Sequence, residues 1–460
     1  MSVGVTAKSN KYEIDMCNGP LLGKIFMFTL PLMLSSFLQL LFNAADMVVV
    51  GRFAGSDSLA AVGSTGSLTN LIVNVFMGLS VGANVMTARY FGAGKEKELS
   101  DVVHTAIALA LIGGTVLIVI GFWLAGPALR LMGTPEDVID KSVLYMRIYF
   151  AGMPVMMTYN FGSAILRAVG DTRRPMYYLF LAGIINVLLN LFFVIVFNMD
   201  VAGVALATVI SQIVAAVLVI RDLVVTKSAY QLKLKEVKLS KNMLKDILSI
   251  GLPAGVQSML FSISNVLIQS SVNSFGSIAV AGNSAGSNLC SFVYTPLNSF
   301  HQAAISFTSQ NYGARKYTRI SKIIQVNLLL VFVIGILLGC GVTGFSDKLL
   351  LLYSTDPEVI AYGKIRIAIM CTTYWIAGMM DVMVGILRGI GYAIIPTLVS
   401  IIGTCAFRVF WVLVVFRYFR TLQCLFLSYP ISWSVTFIVL CICFFIVFHT
   451  RILKKSQPDT

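Results

Sequence analysis

Asp46 closes a stretch with no charged residue between Lys24 and itself. An ionisable side chain in a segment long enough to cross a bilayer is costly, and it marks a functional site by default. Gln39, Asn43 and Asp46 fall at i, i+4 and i+7, on one face of a helix. Such a polar stripe faces protein or water rather than lipid. The alternative is a carboxylate near the outward end of its segment that only reaches interfacial water. Asn186 and Asn190, at i and i+4 of an apolar run, project two amides the same way, and Thr208 adds a hydroxyl. One carboxylate with several neutral oxygens suits a hard monovalent cation or a proton. Asp46 could take a proton from outside and release it when the site is restructured, and Na⁺ would compete for the same oxygens. The choice of ion stays open here, as does a second role for the two Asn, tying helices together by hydrogen bonds.

Other residues invite chemistry less sharply. Asp381 is the second acid well inside an apolar segment, within the Met-rich run 379–383, and could attract an organic cation. Met156, with Met153 and Met157, lies near Tyr159 and Asn160. Thioethers recur at promiscuous binding surfaces and equally as packing filler, so this group is expected either to line a substrate cavity or to pack. Arg408 is intramembrane and calls for a partner acid or helix end. Arg167 and Arg388 fall at cytoplasmic segment ends, where terminal carbonyls and lipid head groups are within reach. His301 is expected as a packed, hydrogen-bonded imidazole. No phosphate-cradling Gly-rich loop with Lys and Ser/Thr and no His-Glu-x-x-His occurs. The expectation is therefore no enzyme and no cofactor, with an ion gradient as the energy source.

These groups need membrane helices to hold them. Of the 460 residues, 57% are apolar and 12% charged, about half the charged fraction of a soluble domain. A spanning helix takes about 20 predominantly apolar residues. Twelve segments qualify: 24–50, 59–87, 101–126, 140–166, 175–197, 201–225, 247–275, 279–309, 321–345, 357–387, 394–416 and 424–449. They are too long, and lack the two-residue alternation, for an outer-membrane barrel. The net charge of +14 is no nucleic-acid signal. Its Lys and Arg collect in the termini and even-numbered loops, which places both termini on the cytoplasmic side of the inner membrane, next to anionic lipid. Residues 1–18 lack the basic-then-apolar layout of a cleaved signal, so the first segment is expected to be retained. The eight scattered cysteines lack zinc spacing and read as free thiols.

The chain also repeats itself. Ile165-Leu166-Arg167-Ala168-Val169-Gly170 running to Pro175 returns as Ile386-Leu387-Arg388-Gly389-Ile390-Gly391 running to Pro396, 221 residues on. Leu30-Pro31 matches Leu252-Pro253, and Gly92-Ala93-Gly94-Lys95 matches Gly313-Ala314-Arg315-Lys316. Duplication in an apolar chain marks a transporter of two homologous bundles. The expected organisation is a cytoplasmic segment 1–23, an N-lobe 24–225, a Lys-rich cytoplasmic linker 226–246, a C-lobe 247–449 and a cytoplasmic tail 450–460. Six helices per half set both halves the same way up around a central cavity, with alternating access by rocking of one bundle against the other. Pro31 and Pro253 are expected as fixed bends or mobile hinges. Aligning them sets Asn43 on Asn265 but Asp46 on Ile268, within a neutral stripe of Ser258, Ser262, Asn265 and Gln269. One bundle therefore has an acid that its sister lacks.

Asp46-Met47-Val48-Val49-Val50-Gly51, Gln310-Asn311-Tyr312-Gly313-Ala314 and the two Leu-Arg-x-x-Gly phrases carry a resemblance over almost the whole chain. The chain resembles the multidrug and toxic compound extrusion (MATE) family. The resemblance implies a Na⁺- or H⁺-coupled antiporter, expected as a monomer, that exports small organic cations or other amphiphiles. It puts Asp46, Asn186, Asn190 and Thr208 in the coupling site, where they would hold Na⁺ transiently if sodium is the ion. Gln39 matches a position near the substrate path. Phe261 and Ala377 stand where one branch of the family has acids, and Asp381 lies one turn beyond the latter, so coupling is expected in the first lobe. Two other readings compete. A flippase or exporter of lipid-linked saccharides would need a cationic cavity for phosphate, and few basic residues fall mid-segment. A channel or membrane enzyme is opposed by the duplication and by the missing catalytic cluster.

Overall fold

The computed structural model describes residues 12–453. Residues 1–11 and 454–460, with Lys454 and Lys455 of the expected tail, lie outside the described residues. The architecture is all-α and two-lobed, with no strand among the described residues. Twelve long helices follow in order among the described residues, with a short helix, Ser346–Leu350, after the ninth. In the first half they are α1 (Leu21–Ala54), α2 (Ser56–Gly92), α3 (Glu96–Leu131), α4 (Glu136–Ala151, resuming as Met153–Ala168), α5 (Arg173–Val196) and α6 (Asp200–Val225). In the second half they are α7 (Lys241–Asn273), α8 (Ser277–Gly313), α9 (Tyr317–Gly344), α10 (Pro357–Gly389), α11 (Ile394–Tyr418) and α12 (Leu422–Thr450).

Nine of the described helices are long and apolar enough on their own to cross a membrane. A tenth is α2, bent by 43° between its two pieces. The remaining two are α4 and α8. Charged residues fill the first turns of α4, and Gly152 followed by Pro154 interrupts it; proline is favoured in the opening turn of a new helix, where its missing N–H costs nothing. Small and polar residues run through α8, including Asn283, Ser287, Asn288, Ser291 and Asn298. Several helices run past the apolar segments, and α7 begins at Lys241, within the stretch read as a linker.

The chain forms two compact units. One comprises residues 12–15 and 34–255, the other 16–33 and 256–453. In both α1 and α7 the change of unit falls two residues past a proline, Pro31 or Pro253. Proline removes one backbone hydrogen bond and bends a helix at that point, so each leading helix can serve two packing environments.

Within the first unit the opening part of α7 docks on α2 through glycines. A Cβ on Gly78 would lie 2.2 Å from the Gly255 nitrogen, and one on Gly82 would lie 2.2 Å from the Ile247 carbonyl oxygen. Gly78-x-x-x-Gly82 faces Gly251-x-x-x-Gly255, the small-residue spacing that lets two membrane helices touch backbone to backbone. Within the second unit α8 meets α10 the same way, with Gly282 against Val359 and Gly363. At the start of α5, Asp171 accepts the backbone N–H groups of Arg173 and Arg174 at 3.1 Å each and pairs with the Arg174 side chain. Burial raises the Asp171 carboxyl above its usual range, against the pull of Arg174.

Candidate functional site

The polar stripe of α1 opens into a cavity of about 550 Å³ in the first unit, lined by α1, α2, α4, α5 and α6. Asp46 is the single carboxylate among its lining residues. Asn190, fully buried on α5, donates from Nδ2 to Asp46 Oδ1. The same nitrogen lies 3.4 Å from Asn186 Oδ1, and Asn186 Nδ2 donates to Thr208 Oγ1 at 3.3 Å. The Thr208 hydroxyl donates to the Val204 carbonyl at 3.0 Å. The four residues form one chain of bonds across three helices, with Asn190 behind the cavity wall and Asp46, Asn186 and Thr208 on its surface. Asn190 Oδ1 is buried with no partner among the described residues. Turning the amide over would set that oxygen against the Asp46 carboxylate, so the orphan acceptor is fixed by its neighbour.

The helices reach this geometry through one missing side chain. Phe42 of α1 lies where a Cβ on Gly183 of α5 would stand, 1.8 Å from its ring edge. With glycine there, α5 comes close enough for Asn186 and Asn190 to meet α1. Beyond the site both helices widen into π turns, Val50–Ala54 and Phe192–Val196. Val50 and Val194 pack in one apolar cluster with Val49 and Val204. Irregular turns of this kind recur at functional sites. Gly183→Leu is expected to cost about 2 kcal/mol by overpacking and to separate Asp46 from Asn190. A thermal-unfolding midpoint equal to that of the unaltered protein would sink this account.

The other sequence candidates divide by location. Gln39, Asn43, Met156, Tyr159 and Asn160 all line the same cavity. Tyr159 also donates to the Pro175 carbonyl at 3.2 Å, and Asn160 to the Met156 carbonyl at 2.8 Å. Asn265 and Asp381 lie in the second unit. Asn265 accepts from Tyr429 at 3.3 Å, and the Asp381 carboxylate accepts from Tyr294 at 3.0 Å. His301 meets the Asp381 backbone oxygen at 2.6 Å, the packed imidazole expected of it. Arg388 departs from expectation. It is buried, and its Nη2 donates to Gln257 at 2.8 Å instead of reaching head groups. Arg408 also departs, having no carboxylate partner among the described residues; Ser432 and the Tyr429 ring take its place.

Sequence reasoning missed the α2 wall of the cavity and two tyrosines of α4. Thr65, Thr69, Asn70 and Asn74 of α2 line it, as do the stacked Tyr145 and Tyr149 of α4, whose ring centroids lie 6.2 Å apart. The signal was present: Asn70 and Asn74, like Tyr145 and Tyr149, are four residues apart and share a helix face.

Comparison with known proteins follows the same outline. A family model described as MatE matches residues 31–192 and again 253–413. The two matches are offset by 222 residues at their starts and 221 at their ends, the period of the internal repeat. The "Probable multidrug resistance protein YoeA" of Bacillus subtilis is 31% identical over 425 residues, covering 90% of this chain and 91% of that one. An "FAD transporter" of Shewanella oneidensis is 25% identical over 363 residues, covering 77% and 79%. A crystal structure of MATE in the straight conformation superposes with a TM-score of 0.89 at 23% identity, over 98% of this chain and 100% of that one, a likeness of fold.

Proposed function

The chain belongs to the MATE family, a family of multi-pass membrane transporters and not of enzymes, and from that premise we propose that it exports organic cations in exchange for Na⁺ or H⁺ through the first unit. The observation that carries this reading is the bonded set Asp46–Asn190–Asn186–Thr208 on the wall of a cavity with no second carboxylate. One negative charge among neutral oxygens balances one monovalent cation or one proton, not a divalent metal. No group of three or more His, Cys, Asp or Glu able to hold a metal occurs among the described residues. Asn190 Oδ1, buried and unpartnered, is turned away from Asp46; a Na⁺ arriving at the carboxylate would remove the reason for that orientation and would gain this oxygen as a ligand once the amide turns over. The cavity's aromatic and thioether walls, Tyr145, Tyr149, Met156 and Met157, suit flat amphiphilic cations of varied shape. Export of drugs agrees with the names of several relatives, which are called multidrug resistance or multidrug export proteins.

Coupling follows if ion and drug contend for the same carboxylate. A cation or proton arriving at Asp46 removes the charge that holds the organic cation, and release of the ion restores it. Alternating access would come from the two homologous halves, with bends at Pro31 and Pro253. The protein would act as a monomer in the inner membrane with both termini cytoplasmic, as its basic loops imply.

The test is efflux of a fluorescent organic cation from proteoliposomes under an imposed Na⁺ gradient and, separately, an imposed pH gradient. Transport is expected under one of them, which identifies the ion; a dye that moves under neither overturns the proposal. Asn190→Ala should weaken binding of the coupling ion by about tenfold or more, as loss of groups that orient a ligand typically does. Titration calorimetry on the purified protein measures this, and unchanged ion affinity would remove Asn190 from the site.

A further inference from the structure

Beyond cation export, we propose that the second unit carries a binding site for an aromatic organic anion, a carboxylate or phosphate borne on a planar ring system, held between Arg366 and Arg408. The argument begins with charge. Arg366 and Arg388 lie on α10 and Arg408 on α11, all within membrane helices. Apart from Glu358 in the first turn of α10, Asp381 is the one acid in α10 and α11, and it is already engaged: Tyr294 donates to it at 3.0 Å, and Arg388 lies within its electrostatic reach. Arg366 and Arg408 form no ion pair with a carboxylate among the described residues. An intramembrane guanidinium ordinarily finds a compensating partner.

The hydrogen bonds leave the same vacancy. A guanidinium has five donors in a planar fork matched to a carboxylate or phosphate. Arg408, 5% exposed, uses Nε on Ser432 Oγ at 3.2 Å. Its two Nη groups have no acceptor among the described residues and are not sealed off as buried atoms. Arg366 gives Nη1 to Asn283 Oδ1 at 2.7 Å, while its Nε is buried with no partner. Arg366 lies over the Phe426 ring, 5.3 Å from its centroid, and Phe426, Tyr429 and Trp433 fall at i, i+3 and i+7 on one face of α12, so both guanidinium groups meet the same aromatic face.

That cluster supplies the second half of the recognition. Arg408 sits 4.0 Å from the Tyr429 ring centroid and 5.8 Å from that of Trp433. Tyr374 and Tyr429 flank Trp433 at centroid distances of 5.4 and 5.6 Å. The Tyr429 hydroxyl reaches Asn265, an exposed residue on α7, so the cluster extends to an accessible edge. A positive edge beside aromatic faces selects an anion on a flat apolar body, since the ring stacks while the charge is chelated. A simple phosphate or a phospholipid head group would leave the aromatic faces unused.

The test uses the full chain in nanodiscs of zwitterionic lipid, with calorimetric titration of 2-naphthoate and its neutral isostere 2-naphthamide. The naphthoate is expected to bind about tenfold or more tightly than the amide, with little displacement by excess inorganic phosphate. Arg366→Met and Arg408→Met should each remove most of that preference, and Arg408→Lys, which keeps the charge but loses the fork, should retain part of it. Binding of a cationic dye should be unchanged in all three, a readout that a merely structural role for these arginines would not spare. Equal affinity of the unaltered protein for acid and amide overturns the proposal, and so does a naphthoate preference that survives the double substitution. If phosphate competes as well as naphthoate does, the aromatic part of the assignment is wrong. If Arg408→Met does not fold, Arg366→Met decides by the same comparison. Because the readout is binding, it fails or succeeds independently of gradient-driven cation export.

Discussion

Asp46→Asn is expected to bring gradient-driven export of an organic cation down to the level of protein-free vesicles. The substitution keeps the side chain's shape and leaves Asn190 a carbonyl oxygen to bond, so the helices stay where they are. What it removes is the one carboxylate among the cavity's lining residues. Loss of a hydrogen-bonding partner's charge costs about 1.5–3 kcal/mol, which corresponds to about 10- to 150-fold in ion affinity. The larger effect is on coupling: without an ionisable group, ion and drug no longer contend for one charge. Export that remains as fast as in the unaltered protein, and still tracks the gradient, would show that the coupling acid lies elsewhere.

Gly82→Leu should produce the largest loss of stability. The obstacle at Gly82 is backbone: a Cβ would stand 2.2 Å from the Ile247 carbonyl oxygen and 3.0 Å from the Gly251 nitrogen. No rotamer change can relieve that contact, so α2 and the opening part of α7 must part, and the neighbouring approach of Gly78 to Gly255 opens with them. Overpacking costs of about 3 kcal/mol or more follow. Gly126 on α3 is the control, since nothing lies within 4 Å of a Cβ placed there. Gly126→Ala should be neutral or stabilising by about 0.5–1 kcal/mol. Thermal unfolding followed with a thiol-reactive dye measures both. If the two variants melt together, α2 and α7 do not make the close contact described.

Most of the first-lobe site was legible because its signals are local. Gln39, Asn43 and Asp46, like Asn186 and Asn190, are spaced to share a helix face, and lipid cannot satisfy polar groups on that face. The α2 contribution was obscured because Thr65, Thr69, Asn70 and Asn74 sit among other small polar residues, where no single position stands out. Met156, Tyr159 and Asn160 were grouped by proximity in the chain, and they share the cavity because α4 carries all three along one wall. Asp381 illustrates the opposite case. Its place in an apolar segment invited a cation, yet the side chains brought to it by α8 and α10, Tyr294 and Arg388, already answer its charge.

The sequence by itself determined that the chain crosses the membrane many times, that its two halves descend from one pattern, and that one half carries an acid the other lacks. Those conclusions follow from properties each residue has wherever the helices settle: the cost of a charge in hydrocarbon, the length of a span, the period of a repeat. Only the tertiary structure decided which polar groups meet. Asn190 reaches Asp46 because Gly183 makes room for Phe42, and α7 seats on α2 because four glycines remove the side chains between two backbones. Arg366 and Arg408, far apart in the chain, come to one aromatic face of α12, over Phe426 and over Tyr429. Contacts between helices depend on steric complementarity across distant segments, and no local spacing encodes that.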